Sequence, residues 1–137
     1  MAASPEEIAA LRDTMREFGR KEIRSCFSEL ELAGEFPRDL YRQLGELGAF
    51  GVMLPEDVGG SAMGFEALAV VAEELAYAYP QISACMNLQA ATVPLTISNW
   101  GSQDQIDRYV PGLITAQILG ANGMTEPDGG TDFLGAM

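Results

Sequence analysis

Apolar residues recur every three or four positions through the first 117 residues, and this spacing constrains the fold more than any other feature of the sequence. Such a repeat puts the apolar side chains on one face of an α-helix. Two capping boxes, Ser4–Glu7 and Ser102–Gln105, mark helix starts, because in each the first and last side chains satisfy free backbone amides. The sequence therefore predicts an up-and-down helical bundle over residues 1–117.

Five helices are predicted from the caps, the apolar repeat and the breakers. The first four span residues 4–34, 37–48, 65–79 and 82–100, and the fifth starts at Ser102. The fourth is apolar nearly all round, which favours a place in the middle of a bundle, and Pro94 should kink it. Positions expected to point inward include Leu40, Leu44, Leu47, Phe65 and Leu68.

The pattern changes after Gln117. Residues 118–124 are short, apolar and punctuated by glycine, which indicates a strand, although Asn122-Gly123 is also a hairpin-turn pair. A strand needs a partner for its backbone groups, and the sequence offers none. The expected fold class is therefore all-α, with a helical domain over 1–117 followed by the first strand of a truncated β-domain over 118–137.

The chain carries a net charge of −12. This balance argues against nucleic acid and against an anionic membrane surface as partners. The N-terminus lacks a signal-peptide pattern, and no apolar stretch has the length of a membrane span, so the predicted location is cytoplasmic.

Half of the eight basic residues repeat every four positions, and their stripe comprises Arg12, Arg16, Arg20 and Arg24. The stripe is interpreted either as a solvated face, with Asp13, Glu17 and Glu22 nearby, or as a subunit contact.

The two cysteines, Cys26 and Cys85, are far apart, and the chain has no histidine. A zinc site and a Ser-His or Cys-His nucleophile are therefore not expected, and no metal is predicted. Free thiols in a reducing compartment are the expected state.

Residues 125–132 form a loop of sequence TEPDGGTD. Proline and paired glycines allow successive N–H groups to point into one concavity, which is the geometry that holds a phosphate. An ordinary Pro-Asp-Gly turn is the alternative for this segment taken alone.

Several short motifs occur in order along the chain, namely GEFP (34–37), LPEDVGG (54–60), WGSQDQ (100–105), MTEP (124–127) and GTD (130–132). Together they resemble the acyl-CoA dehydrogenase family, and residues 83–101 look most like its glutaryl-CoA dehydrogenase branch. The resemblance implies a helical N-terminal domain, a middle β-domain and a C-terminal helical domain, with FAD held between the last two.

The resemblance also implies cofactor contacts. Asn122, Gly123, Met124 and Thr125 would flank the isoalloxazine ring of FAD, and Gly130 and Thr131 would bind its pyrophosphate, with Thr131 also near the CoA chain. The family usually has serine at the position of Thr131, and an aromatic or aliphatic residue at that of Asn122.

For the substrate, the resemblance implies that the fourth helix lines an acyl pocket, with Ser83 and Met86 in contact with the acyl chain; ordinary core packing is the other interpretation of Met86. The glutaryl branch has an arginine where Ser83 stands, and it holds a second carboxylate. A neutral short or branched acyl chain is therefore the expected substrate.

The implied activity is α,β-dehydrogenation of an acyl thioester, and no catalytic residue is identified in this chain. None of Glu66, Glu73, Glu74 and Glu126 matches the family's base, so the chain alone should be inactive. The implied partners are acyl-CoA, the remaining domains or a complementing subunit, a homo-oligomer and electron-transfer flavoprotein. The alternatives are a non-catalytic helical interaction subunit and an acyl-carrier-protein dehydrogenase or acyl-CoA oxidase relative.

Overall fold

The computed structural model describes residues 3–127 and 129–131. Its helices are α1 (Pro5–Phe18), α2 (Phe27–Ala33), α3 (Arg38–Glu46), α4 (Phe65–Ala78), α5 (Pro80–Asn87), α6 (Val93–Trp100) and α7 (Gln103–Ile114). Two π-helical turns, Gly19–Ile23 and Leu88–Thr92, follow α1 and join α5 to α6, and a 3₁₀ turn spans Glu56–Val58. The predicted helical bundle is confirmed. None of the described helices combines the length and apolar character that crossing a bilayer requires.

Both predicted capping boxes form. The Ser4 hydroxyl accepts from the Glu7 amide at 3.2 Å, and the Glu7 carboxylate accepts from the Ser4 amide at 2.7 Å. The Ser102–Gln105 pair makes the same two bonds at 3.4 and 2.8 Å. At the other end of the first helical region, Gly34 adopts φ 63° after α2, a left-handed conformation that glycine accepts without strain.

The first predicted helix is wrong in one respect, because it is not continuous to Gly34. A π-helical turn begins at Gly19, and the helix breaks before α2 starts at Phe27. A Cβ on Gly19 would lie 2.9 Å from the Ala78 Cβ, so the absent side chain lets α1 approach α4 closely. Gly19 is thus a packing position, which the spacing of apolar residues does not reveal.

Helix α4 lies at the centre of the core, with α1 and α5 packed against it. Its buried side chains are Ala67, Leu68, Val70, Val71, Glu74 and Leu75. Two inward predictions are wrong: Phe65 is 74% exposed and Leu47 is 42% exposed. Phe65 is the first residue of α4, and Leu47 directly follows α3, although the chain is buried again at Ala49 and Phe50.

The fourth predicted helix, α5 to α6, is not surrounded by other described residues. One side is buried through Ile82, Met86, Ala90 and Pro94, whereas Trp100 is 86% exposed. Among the described helices, α4 and α7 make the most extensive contacts with it. The π-helical turn Leu88–Thr92 ends directly before α6, whose second residue is Pro94, a residue without an amide donor.

Residues 118–124, predicted as a strand, form no β-ladder among the described residues. The hairpin at Asn122-Gly123 does not form either; a tight turn closes later, through an antiparallel bridge between Glu126 and Gly129. A strand exists only with a neighbour, and the described part of the chain provides no neighbouring strand. Residues 132–137 of the predicted β-domain lie outside the described residues.

Candidate functional site

The segment after α7 turns back onto the helices. The Ile118 amide donates to the carbonyl of Gly112 at 2.9 Å. A Cβ on Gly112 would lie 2.7 Å from the Ile118 Cδ1, and one on Gly120 would lie 3.1 Å from the Val93 Cβ. The two glycines therefore let the segment lie directly on α6 and α7.

A buried glutamine holds this segment in place. Gln89 is 1% exposed and lies in the π-helical turn between α5 and α6. Its amide nitrogen donates to the carbonyls of Leu113 at 2.6 Å and Ile118 at 2.8 Å, and its amide oxygen accepts from the Gly120 amide at 2.8 Å. Gln89 was not among the predicted site residues, and the sequence gives little signal for it, because Asn87 and Asn99 are amide side chains of the same predicted helix.

Residues 121–127 then leave the bundle surface with exposed side chains. The backbone amides of Asn122, Gly123, Met124 and Thr125 make no hydrogen bond within the described residues. No described atom lies within 4 Å of where a Cβ on Gly123 would stand, so this side of Gly123 leaves room for a flat group among the described residues.

The predicted phosphate loop closes at its base. The Glu126 amide donates to the Gly129 carbonyl at 2.8 Å, and the Gly129 amide donates to the Glu126 carbonyl at 3.2 Å. This turn brings Gly130 beside Thr125, whose Oγ1 would lie 3.8 Å from a Cβ at Gly130. Thr131 is exposed, and its amide and that of Gly130 make no hydrogen bond within the described residues. Asp128 and Asp132 of the loop lie outside the described residues.

These groups fit a flavin nucleotide. The unpaired amides of residues 122–125 suit the polar edge of a ring system, and the amides of Gly130 and Thr131 with the threonine hydroxyls suit an anionic pyrophosphate. The bridge between Glu126 and Gly129 closes a tight turn, and the binding of a phosphate by the loop stays a prediction.

The two predicted acyl-contact residues are already engaged within the bundle. The Ser83 hydroxyl donates to the Ala72 carbonyl of α4 at 2.8 Å, and Met86 is fully buried in the core. Their contact with an acyl chain stays a prediction. The structure does not place either residue beside the loop of residues 122–131.

The arginine stripe is not simply solvated. Arg16 donates through Nε and NH2 to the Glu74 carboxylate at 3.0 and 2.8 Å, and Arg12 donates to Glu74 at 2.7 Å and to Glu73 at 2.5 Å. The bonds from Arg16 and then Arg12 lower the pKa of Glu74, although burial opposes them. Glu74 is thus a charged structural group that ties α1 to α4, consistent with its exclusion as a catalytic base.

A cleft of about 370 Å³ lies elsewhere, between α2, α3 and the start of α5. Its lining includes Phe36, Tyr41, Tyr79, Ile82 and Cys85, and none of the predicted site residues. We place the candidate site on the open surface of residues 122–127 and 129–131 instead, because its row of backbone donors without a described partner suits an anionic ligand, whereas the cleft is lined by the carboxylates Glu31 and Glu35.

Residues 5–117 match the family described as acyl-CoA dehydrogenase, N-terminal domain. The glutaryl-CoA dehydrogenase of Desulfococcus multivorans is 34% identical over 132 residues, covering 94% of this chain and 34% of that protein. The structure of a glutaryl-coenzyme A dehydrogenase glutaryl-CoA complex matches with a TM-score of 0.91 and 34% identity, covering 98% of this chain and 34% of the other.

A second solved structure, the acyl-CoA dehydrogenase of Bacillus anthracis complexed with FAD, matches with a TM-score of 0.86 and 29% identity, over 98% of this chain and 24% of that one. The chain spans about a third of the length of the glutaryl-CoA dehydrogenase that it matches. Because the family match extends over most of the helical bundle, the chain belongs to the acyl-CoA dehydrogenase family.

Proposed function

We propose that this chain forms the N-terminal domain and flavin loop of an FAD-dependent acyl-CoA dehydrogenase, an oxidoreductase that introduces an α,β double bond into an acyl thioester. The observation that carries the proposal is the row of backbone amides in residues 122–125 and at Gly130 and Thr131 that make no hydrogen bond to any described residue. It is supported by the similarity of the chain to the acyl-CoA dehydrogenase of Bacillus anthracis that was solved in complex with FAD.

The residues of this chain bind and orient. Asn122–Thr125 would hold the ring of FAD, and Gly130 and Thr131 would hold its pyrophosphate with backbone donors. Bound FAD supplies the acceptor for the substrate's hydride. Thr131 would additionally position the CoA chain, and the base that removes the substrate's α-proton would come from outside these 137 residues.

The proposed substrate is a neutral short or branched acyl thioester. Ser83, where the glutaryl branch has arginine, carries no charge and its hydroxyl is bonded to Ala72. A second carboxylate would therefore meet no cation at this position. With the complete enzyme, we expect a higher kcat/KM for butyryl- or isovaleryl-CoA than for glutaryl-CoA, and the reverse order would refute this assignment.

The proposed partners follow from the same reaction. The remaining domains, or a complementing subunit, would close the other side of the flavin, and the complete enzyme would be a homo-oligomer. Electron-transfer flavoprotein would accept the electrons.

The flavin loop is tested by titrating the complete apoprotein with FAD. Thr131→Ala should weaken FAD binding by roughly 10- to 150-fold, since a hydrogen bond to a charged oxygen is lost. Thr131→Ser keeps the hydroxyl and should bind normally. Gly130→Val should bind worst, because even a Cβ would come within 3.3 Å of the Thr125 Cγ2.

Thr14→Ala is the matched control, because the Thr14 hydroxyl is bonded within α1 to the Ala10 carbonyl. Equal FAD affinities for wild type and Thr131→Ala would show that the loop does not bind the pyrophosphate.

The isolated 137-residue chain should neither retain FAD through gel filtration nor oxidise acyl-CoA. It supplies one side of the flavin site and no proton-abstracting carboxylate. Elution of flavin absorbance with this chain would contradict the proposal.

A further inference from the structure

Gln89 connects the helical bundle to the segment that carries the candidate site. Its amide donates to the Ile118 carbonyl at 2.8 Å and accepts from the Gly120 amide at 2.8 Å. In a parallel sheet, one residue of a neighbouring strand makes these same two bonds to residues i and i+2 of the strand beside it. The side chain therefore takes the place of a β-neighbour for residues 118–120.

No other described group offers these bonds. The Ile118 carbonyl and the Gly120 amide have no second hydrogen-bond partner among the described residues. The second N–H of the Gln89 amide donates to the Leu113 carbonyl at 2.6 Å, near the end of α7. The Gln89 side chain is 1% exposed, and both of its N–H donors and its carbonyl oxygen are hydrogen-bonded. A buried amide whose groups are all bonded in this way holds its partners in one arrangement.

The helical spacing of the buried residues explains how a glutamine reaches this place. Gln89 and Ala90 are adjacent in sequence, and both are buried, at 1% and 0% exposure. Helix α5 buries Ile82 and Met86 on the same side, and Gln89, three residues after Met86 in the π-helical turn, lies on that side as well. Such turns are frequent at functional sites.

We infer that Gln89 is a positioning residue for the flavin loop: it fixes the path of Ile118–Gly120 and thereby sets where Asn122–Thr131 meet the cofactor. Asn122 follows Gly120 by two residues, so the two Cα atoms are at most about 7 Å apart. A displacement at Gly120 is therefore passed on to the first residue of the loop. That Gln89 fixes the path of Ile118–Gly120 rests on the hydrogen bonds alone. That it thereby positions the flavin loop rests on the proposed function.

The first half is tested by amide hydrogen exchange of the wild-type 137-residue chain. The Gly120 amide should exchange at least about tenfold more slowly than that of Gly123, because only Gly120 is bonded. Equal protection of the two glycines would overturn the inference without any variant.

The second half uses Gln89→Met, which keeps a long unbranched side chain but removes all three bonds. In the 137-residue chain, Gly120 exchange should become about 5- to 150-fold faster. In the complete FAD-loaded protein, the flavin absorption spectrum should shift and FAD should dissociate faster. Gln43→Met is the matched control, since Gln43 lies on α3 and makes no side-chain hydrogen bond among the described residues.

The outcomes separate the two proposals. Faster Gly120 exchange with an unchanged flavin spectrum and unchanged FAD release would overturn the positioning role, while the Thr131 titration would still judge the proposed function. A complete wild-type protein that takes up no FAD would overturn the proposed function and the positioning role with it. Gln89→Glu, which keeps the acceptor for Gly120 but loses both donors, should shift the flavin spectrum even if Gln89→Met does not fold.

Discussion

Removing Arg12 and Arg16 of α1 should destabilise the protein more than removing Glu74, the carboxylate to which both of them bond. The Glu74 side chain is 3% exposed, whereas those of Arg12 and Arg16 are 33% and 59% exposed. Removing Glu74 leaves cations that water can solvate, but removing both arginines leaves a buried anion with no partner. Stranding one member of a buried pair costs about 3–5 kcal/mol.

The double variant Arg12→Met/Arg16→Met should therefore lose about 3–5 kcal/mol of the free energy of unfolding. Adding Glu74→Met should recover most of that loss, because well-packed apolar residues often replace a buried ion network at little cost. The Glu17→Gln variant is the control: its pair with Lys21 has both side chains 58% exposed and should contribute at most about 1 kcal/mol.

Urea denaturation of the four proteins at pH 7 gives these differences, provided that the dependence on urea is the same for all. If the triple variant were as unstable as the double variant, the stranded carboxylate would not be the cause. The stability would then come from the packing of the arginine side chains against α4.

Three further predictions concern protonation and close contacts. Hydrogen bonds from Arg16 and then Arg12 lower the pKa of Glu74 in the folded protein. Wild type should therefore be more stable than Glu74→Gln at pH values above the unfolded pKa of about 4.3, and this difference in the free energy of unfolding should shrink as the pH falls through the lowered folded pKa. Urea denaturation at a series of pH values measures it. Burial raises the pKa of Tyr41, so an ultraviolet titration should show at least one tyrosine that stays protonated well above pH 10, and ionisation of all 4 tyrosines near pH 10 would indicate an open core. Gly60→Ala should lower the melting temperature strongly, because its Cβ would lie 2.1 Å from the Leu54 carbonyl oxygen, whereas Gly123→Ala, with nothing within 4 Å, should leave it unchanged.

The helical fold was predictable because its signals are local. The hydroxyl of Ser4 and the carboxylate of Glu7 are three residues apart, and they form the same capping box wherever the helix packs. The left-handed φ of Gly34 likewise depends only on the local backbone, because glycine adopts this conformation at the end of a helix without strain. The family resemblance also follows from short motifs that can be read in order along the chain.

The positions of the side chains between helices were not predictable in the same way. The arginine stripe was predicted as solvated or as a subunit contact, yet Arg12 and Arg16 bond to carboxylates about 60 residues away, at Glu73 and Glu74. Residues 118–124, predicted as a strand, form no β-ladder among the described residues, because a strand needs a neighbouring strand. Ile118 and Gly120 bond to the side chain of Gln89 instead.

The sequence alone therefore determined that the chain is helical, where the capped helices begin at Ser4 and Ser102, and to which family the chain is similar. Only the tertiary structure decided that Gly19 is a helix contact, that Glu74 is a buried anion, and that Gln89 holds the segment before the loop. Caps and apolar periods are properties of neighbours in sequence, whereas burial, ion pairing and the bonds of Gln89 depend on which distant helices meet, and that is set by the packing of the whole bundle.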